Sequence, residues 1–301
     1  MRPKPFDYAA PTGVGDVLDL LAGGDDTVLL AGGQSLVPEL NRRRIAPRLV
    51  VDLNRVGELA LAGVAGGRIT LGALTRHRWL ETSTWPVGRP TLPAMPTVLA
   101  EAAACVGDPA IRRRGTLGGT LAQADPGAEI PAALALLDAR VEIAGPGGVR
   151  QSDLPRLYGA AASDGGLASD ELITGVRLDV PAGWQGGAYV EFAATRHGRN
   201  AGAGAVVAVA GGRCTMARVV LAGSARPCVL TAGELVGTTD PPEQNRWAPE
   251  VRRLARDAGL VADADLLHLM STCAARALRI AWRRADQAGA DQAGAGRGVP
   301  A

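Results

Sequence analysis

Two glycine-rich segments, each leading into a helix start, constrain this chain more than any other feature. One is Gly115-Thr116-Leu117-Gly118-Gly119-Thr120-Leu121-Ala122-Gln123-Ala124-Asp125-Pro126-Gly127-Ala128-Glu129-Ile130-Pro131. Its first half is too rich in glycine for a regular helix or strand. In its second half Asp125 can cap a helix and Pro126 presets φ for the turn that follows, and Ala132 to Ala139 reads as helix. The other segment begins with the apolar run Thr27 to Ala31, is broken by Gly32-Gly33-Gln34-Ser35, and continues into a possible helical turn from Leu36 to Leu40. A glycine loop feeding a helix start presents unpaired backbone N–H groups, which suits a phosphate. Two such loops in one chain can hold both phosphates of a dinucleotide.

The bulk figures narrow the class. At 301 residues the chain is long enough for two or three modules with their own cores. Aromatic residues make up 3% against 40 glycines, so those cores are built mainly from Ala, Val and Leu. A net charge of +2 gives no reason to invoke nucleic acid, and no apolar run reaches the roughly 18 residues of a spanning helix. The N-terminal Met1 to Phe6 lacks the apolar core of a signal peptide, and the expected location is cytoplasmic. Cys105, Cys214, Cys228 and Cys273 form no Cys-x-x-Cys pair and read as free thiols. An iron–sulfur cluster needs closely spaced thiolates, so none is expected here.

Taken in order, Thr12 to Ala22 has helical apolar spacing, and Leu49 to Leu53 is a strand of a small β-α-β unit. Gly13-Val14-Gly15 does not continue into a dinucleotide fingerprint, because Leu18 stands where the third glycine belongs. Arg42-Arg43-Arg44 reads as a solvated face or subunit edge before a phosphate site. Leu59 to Val64 and Arg68 to Ala73 are expected to pair across Gly66-Gly67. Thr75 can cap a helix through Glu81, on which His77 stands alone and is not a metal ligand. Thr97 to Val106 is helical and is stopped by Gly107-Asp108-Pro109. A hairpin is expected over Pro146-Gly147, and a linker at Ser163-Asp164-Gly165-Gly166. Strands Leu172 to Val180, Ala188 to Ala194, Gly204 to Ala210 and Thr215 to Gly223 then precede helices Trp247 to Ala258 and Ala264 to Arg284, an α+β pattern.

Ala31-Gly32-Gly33-Gln34-Ser35, Arg114-Gly115-Thr116-Leu117-Gly118-Gly119-Thr120 and Ala124-Asp125-Pro126, with Leu49 to Asn54 and Ile69 to Ala73, carry a resemblance. Over roughly Phe6 to Ala285 the chain resembles the FAD-binding medium subunit of the molybdenum hydroxylases, the family of carbon monoxide dehydrogenase and xanthine dehydrogenase. The resemblance implies an α+β fold: a two-subdomain FAD-binding fold of the PCMH/vanillyl-alcohol-oxidase type at residues 1–55 and 56–165, then a C-terminal domain of the carbon monoxide dehydrogenase flavoprotein type at 170–285. A tail at 286–301 is expected to be disordered. It implies an oxidoreductase subunit that relays electrons from a [2Fe–2S] subunit to a terminal acceptor. The molybdenum cofactor and the clusters would sit on a large and a small partner, in a dimer of heterotrimers. A stand-alone flavoenzyme acting on a small metabolite is the alternative.

The expected FAD contacts are Ala31, Gly32, Gly33, Gln34, Ser35 and Leu36 in the first loop and Thr116, Leu117, Gly118, Gly119 and Thr120 in the second. Gln34 stands where relatives often carry histidine or asparagine. Asp125 is either a contact to FAD or only a helix cap, and the resemblance places Glu129 at the adenosine ribose. Tyr189 either lies near the flavin ring or is a core residue with a satisfied hydroxyl. Glu191 departs from the lysine-like residue of relatives, so it either points away or lowers the flavin potential. Arg196, His197 and Arg199 form a basic segment for acceptor phosphates or a solvated loop. No catalytic constellation and no metal site is read from the sequence.

Overall fold

The computed structural model describes residues 2–24, 26–84, 95–125, 127–158, 166–179, 186–192, 201–223, 227–260 and 262–295. Pro126, the linker residues 163–165, the basic segment 196–199 and the last six residues lie outside these. The chain divides into two compact units, one of Met1–Pro93, Val106–Asp125 and Ala139–Asp179, the other of Ala94–Cys105, Pro126–Asp138 and Val180–Ala301.

The first unit opens with β1 (Asp7–Ala9), α1 (Val14–Leu21), β2 (Thr27–Leu30), α2 (Leu36–Asn41) and β3 (Leu49–Asp52). The three strands form a parallel sheet in the order β1-β3-β2, with β3 in the middle. Buried on both flanks, β3 reads Leu-Val-Val without polar alternation. The unit continues through β4 (Ala62–Ala65), β5 (Arg68–Gly72) and α3 (His77–Thr82) to α5 (Pro109–Arg114), after α4 (Thr97–Cys105) has passed into the other unit. Then come α6 (Leu117–Gln123), β6 (Arg140–Gly145), β7 (Gly148–Asp153), α8 (Leu154–Leu157) and β8 (Leu172–Asp179). A second sheet has the antiparallel order β4-β5-β8-β6-β7.

The second unit is built on β9 (Gly186–Phe192), β10 (Ala201–Ala210), β11 (Arg213–Ala222) and β12 (Cys228–Thr231), in the antiparallel order β12-β11-β10-β9. Successive residues point to opposite faces. On one face Ala203, Ala205 and Val207 pack with the helices α9 (Gln244–Asp257) and α10 (Ala264–Ala295). On the other, an added Cβ at Gly204 would touch Val98 of α4 and Leu136 of α7 (Glu129–Leu136). Helix approaches sheet so closely that an added Cβ at Gly186 would lie 2.0 Å from the Ala281 carbonyl oxygen. Small residues replace aromatics as the means of close packing.

Both diglycine turns adopt positive φ at each residue, Gly66 at 57° and Gly67 at 76°, Gly211 at 58° and Gly212 at 71°. That matches the turn type whose twist fits a two-residue hairpin. Several expectations need correction. Leu59 lies in a 3-10 turn (Gly57–Ala60) rather than a strand, and Thr75 does not cap α3, whose N-cap is Arg76. The strand β8 lies inside the five-stranded sheet of the first unit, whereas its sequence pattern places it with the C-terminal strands; β12 takes the fourth place there. The helix α10 continues to Ala295, ten residues beyond the expected start of disorder.

Candidate functional site

The strand β2 delivers the chain at Ala31, and Gly33 turns it with φ of 72°. The N-cap of α2 is Ser35, in helical geometry and without a side-chain capping bond. Val37 N–H donates to Gly33 O at 3.1 Å, so the helical hydrogen bonding reaches back into the glycine turn. Among the described residues, none accepts a hydrogen bond from the backbone N–H groups of Gly32, Gly33, Gln34, Ser35 or Leu36. Five consecutive open donors on a partly exposed loop suit an anion. Gln34 folds back so that Nε2 donates to Gly32 O at 3.1 Å, and Ser35 is exposed.

The second glycine segment is built in the opposite way. Leu117 N–H donates to Thr75 O, Gly118 N–H to Ala73 O, Gly119 N–H to Thr116 Oγ1 and Thr120 N–H to Thr116 O. Thr116 is the N-cap of α6 and is 1% exposed. The expectation of an irregular loop with free amides is therefore corrected: Leu117 to Gln123 is helix, and the donors at its start are taken. Gly118 is there for clearance, since an added Cβ would lie 2.6 Å from Ala73 Cβ. The N-cap of α7 is Ala128, and Asp125 is exposed beyond the end of α6. Its charge, after burial, helps to raise the pKa of the Tyr158 hydroxyl.

The structure brings the two segments together within the first unit. An added Cβ at Gly32 would meet the Arg114 carbonyl oxygen at 2.4 Å, and one at Gly119 would come within 3.9 Å of Ala31 Cβ. Three side chains outside the glycine segments, none of them among the site residues expected from the sequence, tie them. Asn54 Nδ2 donates to Ala31 O at 2.9 Å and Arg76 Nη1 to Arg114 O at 2.5 Å. Arg76 Nη2 donates to Asn54 Oδ1 at 2.7 Å, closing the link between the loops. His77 N–H donates to Gly115 O, and its Nε2 lies 3.0 Å from Thr116 O. With burial as the main cause, the His77 pKa falls to about 4, so the ring is neutral and Nε2–H is the donor. Residues whose task is to bond backbone carbonyls leave no spacing signature.

Glu129 and Tyr189 belong to the second unit, where they neighbour each other. Glu129 opens α7 and is 8% exposed. Tyr189 is buried in β9 and its hydroxyl has no hydrogen-bond partner among the described residues. Burial, then the charges of Glu129 and Glu191, push its pKa well up. Burial likewise raises Glu191 to about 7, and the charge of Glu129 and a hydrogen bond with it add to the effect. Glu191 and Glu129 thus face each other within the second unit. Among the described residues no three His, Cys, Asp or Glu side chains gather as a metal site.

A strand-to-glycine-turn cradle for an anion, braced by a second glycine segment, defines a cofactor-binding class of protein. Residues 4–181 match the family of the FAD-binding domain in molybdopterin dehydrogenase, and the chain belongs to that family. It is 41% identical over 227 residues to the alpha subunit of the 6-hydroxypseudooxynicotine dehydrogenase complex of Paenarthrobacter nicotinovorans, covering 74% of each chain. To the carbon monoxide dehydrogenase medium chain of Afipia carboxidovorans it is 34% identical over 224 residues, 73% of this chain and 75% of that one. The fold superposes on quinoline 2-oxidoreductase from Pseudomonas putida 86 with a TM-score of 0.78 at 30% identity, covering 96% of this chain and 100% of the other. Carbon monoxide dehydrogenase from Hydrogenophaga pseudoflava gives the same score and identity over 94% and 99%. The protein is an FAD-binding subunit of the molybdenum hydroxylase family, with the α+β fold of its relatives. No helix among the described residues is long and apolar enough to cross a membrane.

Proposed function

We propose that this chain is the electron-relay subunit of a molybdenum hydroxylase, taking electrons from a [2Fe–2S] subunit and handing them to a terminal acceptor. A large subunit with the molybdenum cofactor would oxidise the substrate, the three chains forming a dimer of heterotrimers. Four free cysteines suit the reducing cytoplasm, where we place the complex. Bound FAD supplies the redox chemistry, accepting and releasing electrons. The chain's own residues bind and orient it.

The observation that carries this reading is the open donor row from Gly32 to Leu36, which fits the pyrophosphate of FAD: backbone amides without an acceptor among the described residues, glycines that let phosphate oxygens approach, and the Ser35 hydroxyl beside them. Ala31 and Gln34 shape that loop. Thr116 and Gly118 act from beneath it as a cap and a packing surface, and Leu117 seals the core under α6. Gly119 and Thr120, half-exposed, take the remaining contacts on that side, and Asp125 offers an exposed acceptor. In the second unit we assign Glu129 to a ribose hydroxyl and Tyr189 to the ring side.

The deciding experiment is an absorbance spectrum of the purified protein, with the released cofactor identified after denaturation and co-purifying subunits and metals recorded. Stoichiometric FAD with molybdenum- and iron-bearing partners is expected. FAD on a lone, active chain would replace the relay by a self-sufficient flavoenzyme, and no flavin even after reconstitution would overturn the assignment.

A further inference from the structure

Arg76 holds a position that its hydrogen bonds to neutral groups do not account for. Its guanidinium is partly buried and donates to a carbonyl and an amide oxygen. Among the described residues no carboxylate lies within ion-pair distance of it. The nearest acid, Asp52, is reached only through Asn54, whose N–H and Nδ2 both donate to Asp52 Oδ1, at 2.9 and 2.6 Å; the other Asp52 oxygen accepts from Tyr8 Oη at 2.6 Å. Arg114, whose backbone oxygen Arg76 holds, is a second cation near it, with its own side chain exposed and in no ion pair among the described residues. Burial and the charge of Arg114 both depress the Arg76 pKa, and only Asp52 opposes them. Two like charges are thus held together beside five open amide donors. A folded chain tolerates that where an anion completes the site.

We propose that Arg76, with Arg114, supplies the positive charge that the pyrophosphate of FAD neutralises, while the same guanidinium locks the two glycine segments into one site. The inference rests on the FAD reading above. Arg76 acts in two ways: as a positioning residue through Asn54 and Arg114, and as a counter-charge through space. The first role needs the planar fork of arginine, the second only its charge.

The test compares FAD with riboflavin, which lacks the phosphates, by flavin fluorescence titration of the flavin-stripped protein at low and high salt. For Arg76→Gln we expect FAD binding weakened about tenfold or more, a flatter salt dependence and little change for riboflavin. Arg76→Lys should recover the salt dependence but not the full affinity. A folded Arg76→Gln protein that binds FAD within twofold of wild type, with the same salt dependence, overturns the inference while leaving the FAD reading in place. If Arg76→Gln does not fold, Arg114→Gln decides, because its side chain is exposed: a severalfold loss with a flatter salt dependence supports the charge role, and unchanged binding removes it. Wild-type protein that binds no FAD ends both readings.

Discussion

The two glycine segments look alike in sequence and do opposite physical work. At Gly32 and Gly33 the chain turns into a row of N–H groups with no acceptor among the described residues, and the next helix starts without a side-chain cap. At Gly118 and Gly119 they let a helix press against Ala73 and Thr116, and every N–H from Leu117 to Thr120 is consumed inside the protein. One segment leaves its donors open; the other uses its donors to hold still. A glycine-rich stretch is therefore informative about phosphate only once the destination of each amide is known.

The comparison can be broken most decisively at Gly33. Gly33→Asp places a carboxylate among open amides at φ of 72°, a conformation aspartate tolerates better than most residues. The expected result is complete loss of flavin from purified protein whose circular dichroism stays native-like; normal FAD content would remove the first loop from the site. Acid should act first on the other segment, because Ala31 to Leu36 holds no titrating side chain, whereas Thr116 is tied to neutral His77. With the folded His77 pKa at about 4, below the ordinary 6.5, its contribution is complete above pH 6.5. As pH falls the unfolded chain takes up a proton that the folded one refuses, and about 3 kcal/mol is lost by pH 4. Denaturant midpoints of wild type and His77→Gln, compared across that window, should converge toward acid; parallel curves would show His77 to be protonated in the fold.

Gly118→Ala sharpens the contrast further, since its Cβ would crowd Ala73. A cost of about 1–3 kcal/mol in urea unfolding is expected, with FAD affinity little changed in the protein that remains folded. A selective loss of flavin would instead return Gly118 to direct contact. The smallest effect belongs to Ser35→Ala. Ser35 makes no capping bond, so stability should stay within about 0.5 kcal/mol while FAD binding weakens severalfold by fluorescence titration. A clear drop in melting temperature would mark Ser35 as a structural cap after all.

Legibility followed the range of the interaction. The run Thr27 to Asn41 showed its strand, turn and helix because each is encoded within a few residues, as are both diglycine hairpins. The helix α10 was legible through its apolar spacing up to Arg284, where the pattern ends but the helix does not. What failed was non-local. Two glycines argue against α6 by propensity, yet Ala73 and Thr116 of the same unit supply the reason for them. The strand β8 has a clear alternation, but nothing in it names β5 and β6 as its partners. The role of Glu191 changed once Glu129 was seen against it, an encounter between residues 62 positions apart. Arg76 and Asn54 stayed hidden because backbone oxygens, their partners, are present at every residue.

The close seating of α10 on its sheet has a further consequence, one of side-chain entropy. Alanine has no side-chain rotamers to lose on folding, whereas larger apolar residues give up about 0.5–1 kcal/mol each. With Ala203, Ala205, Ala274, Ala277 and Ala281 at 0% exposure, these positions freeze no side-chain freedom as the interface forms, and that cost falls on Met270, Leu278 and Trp282 of the same helix. Its vulnerability is correspondingly one-sided. Trimming the alanines has little left to remove, while a single added methyl at Gly186 would push the helix backbone off the sheet.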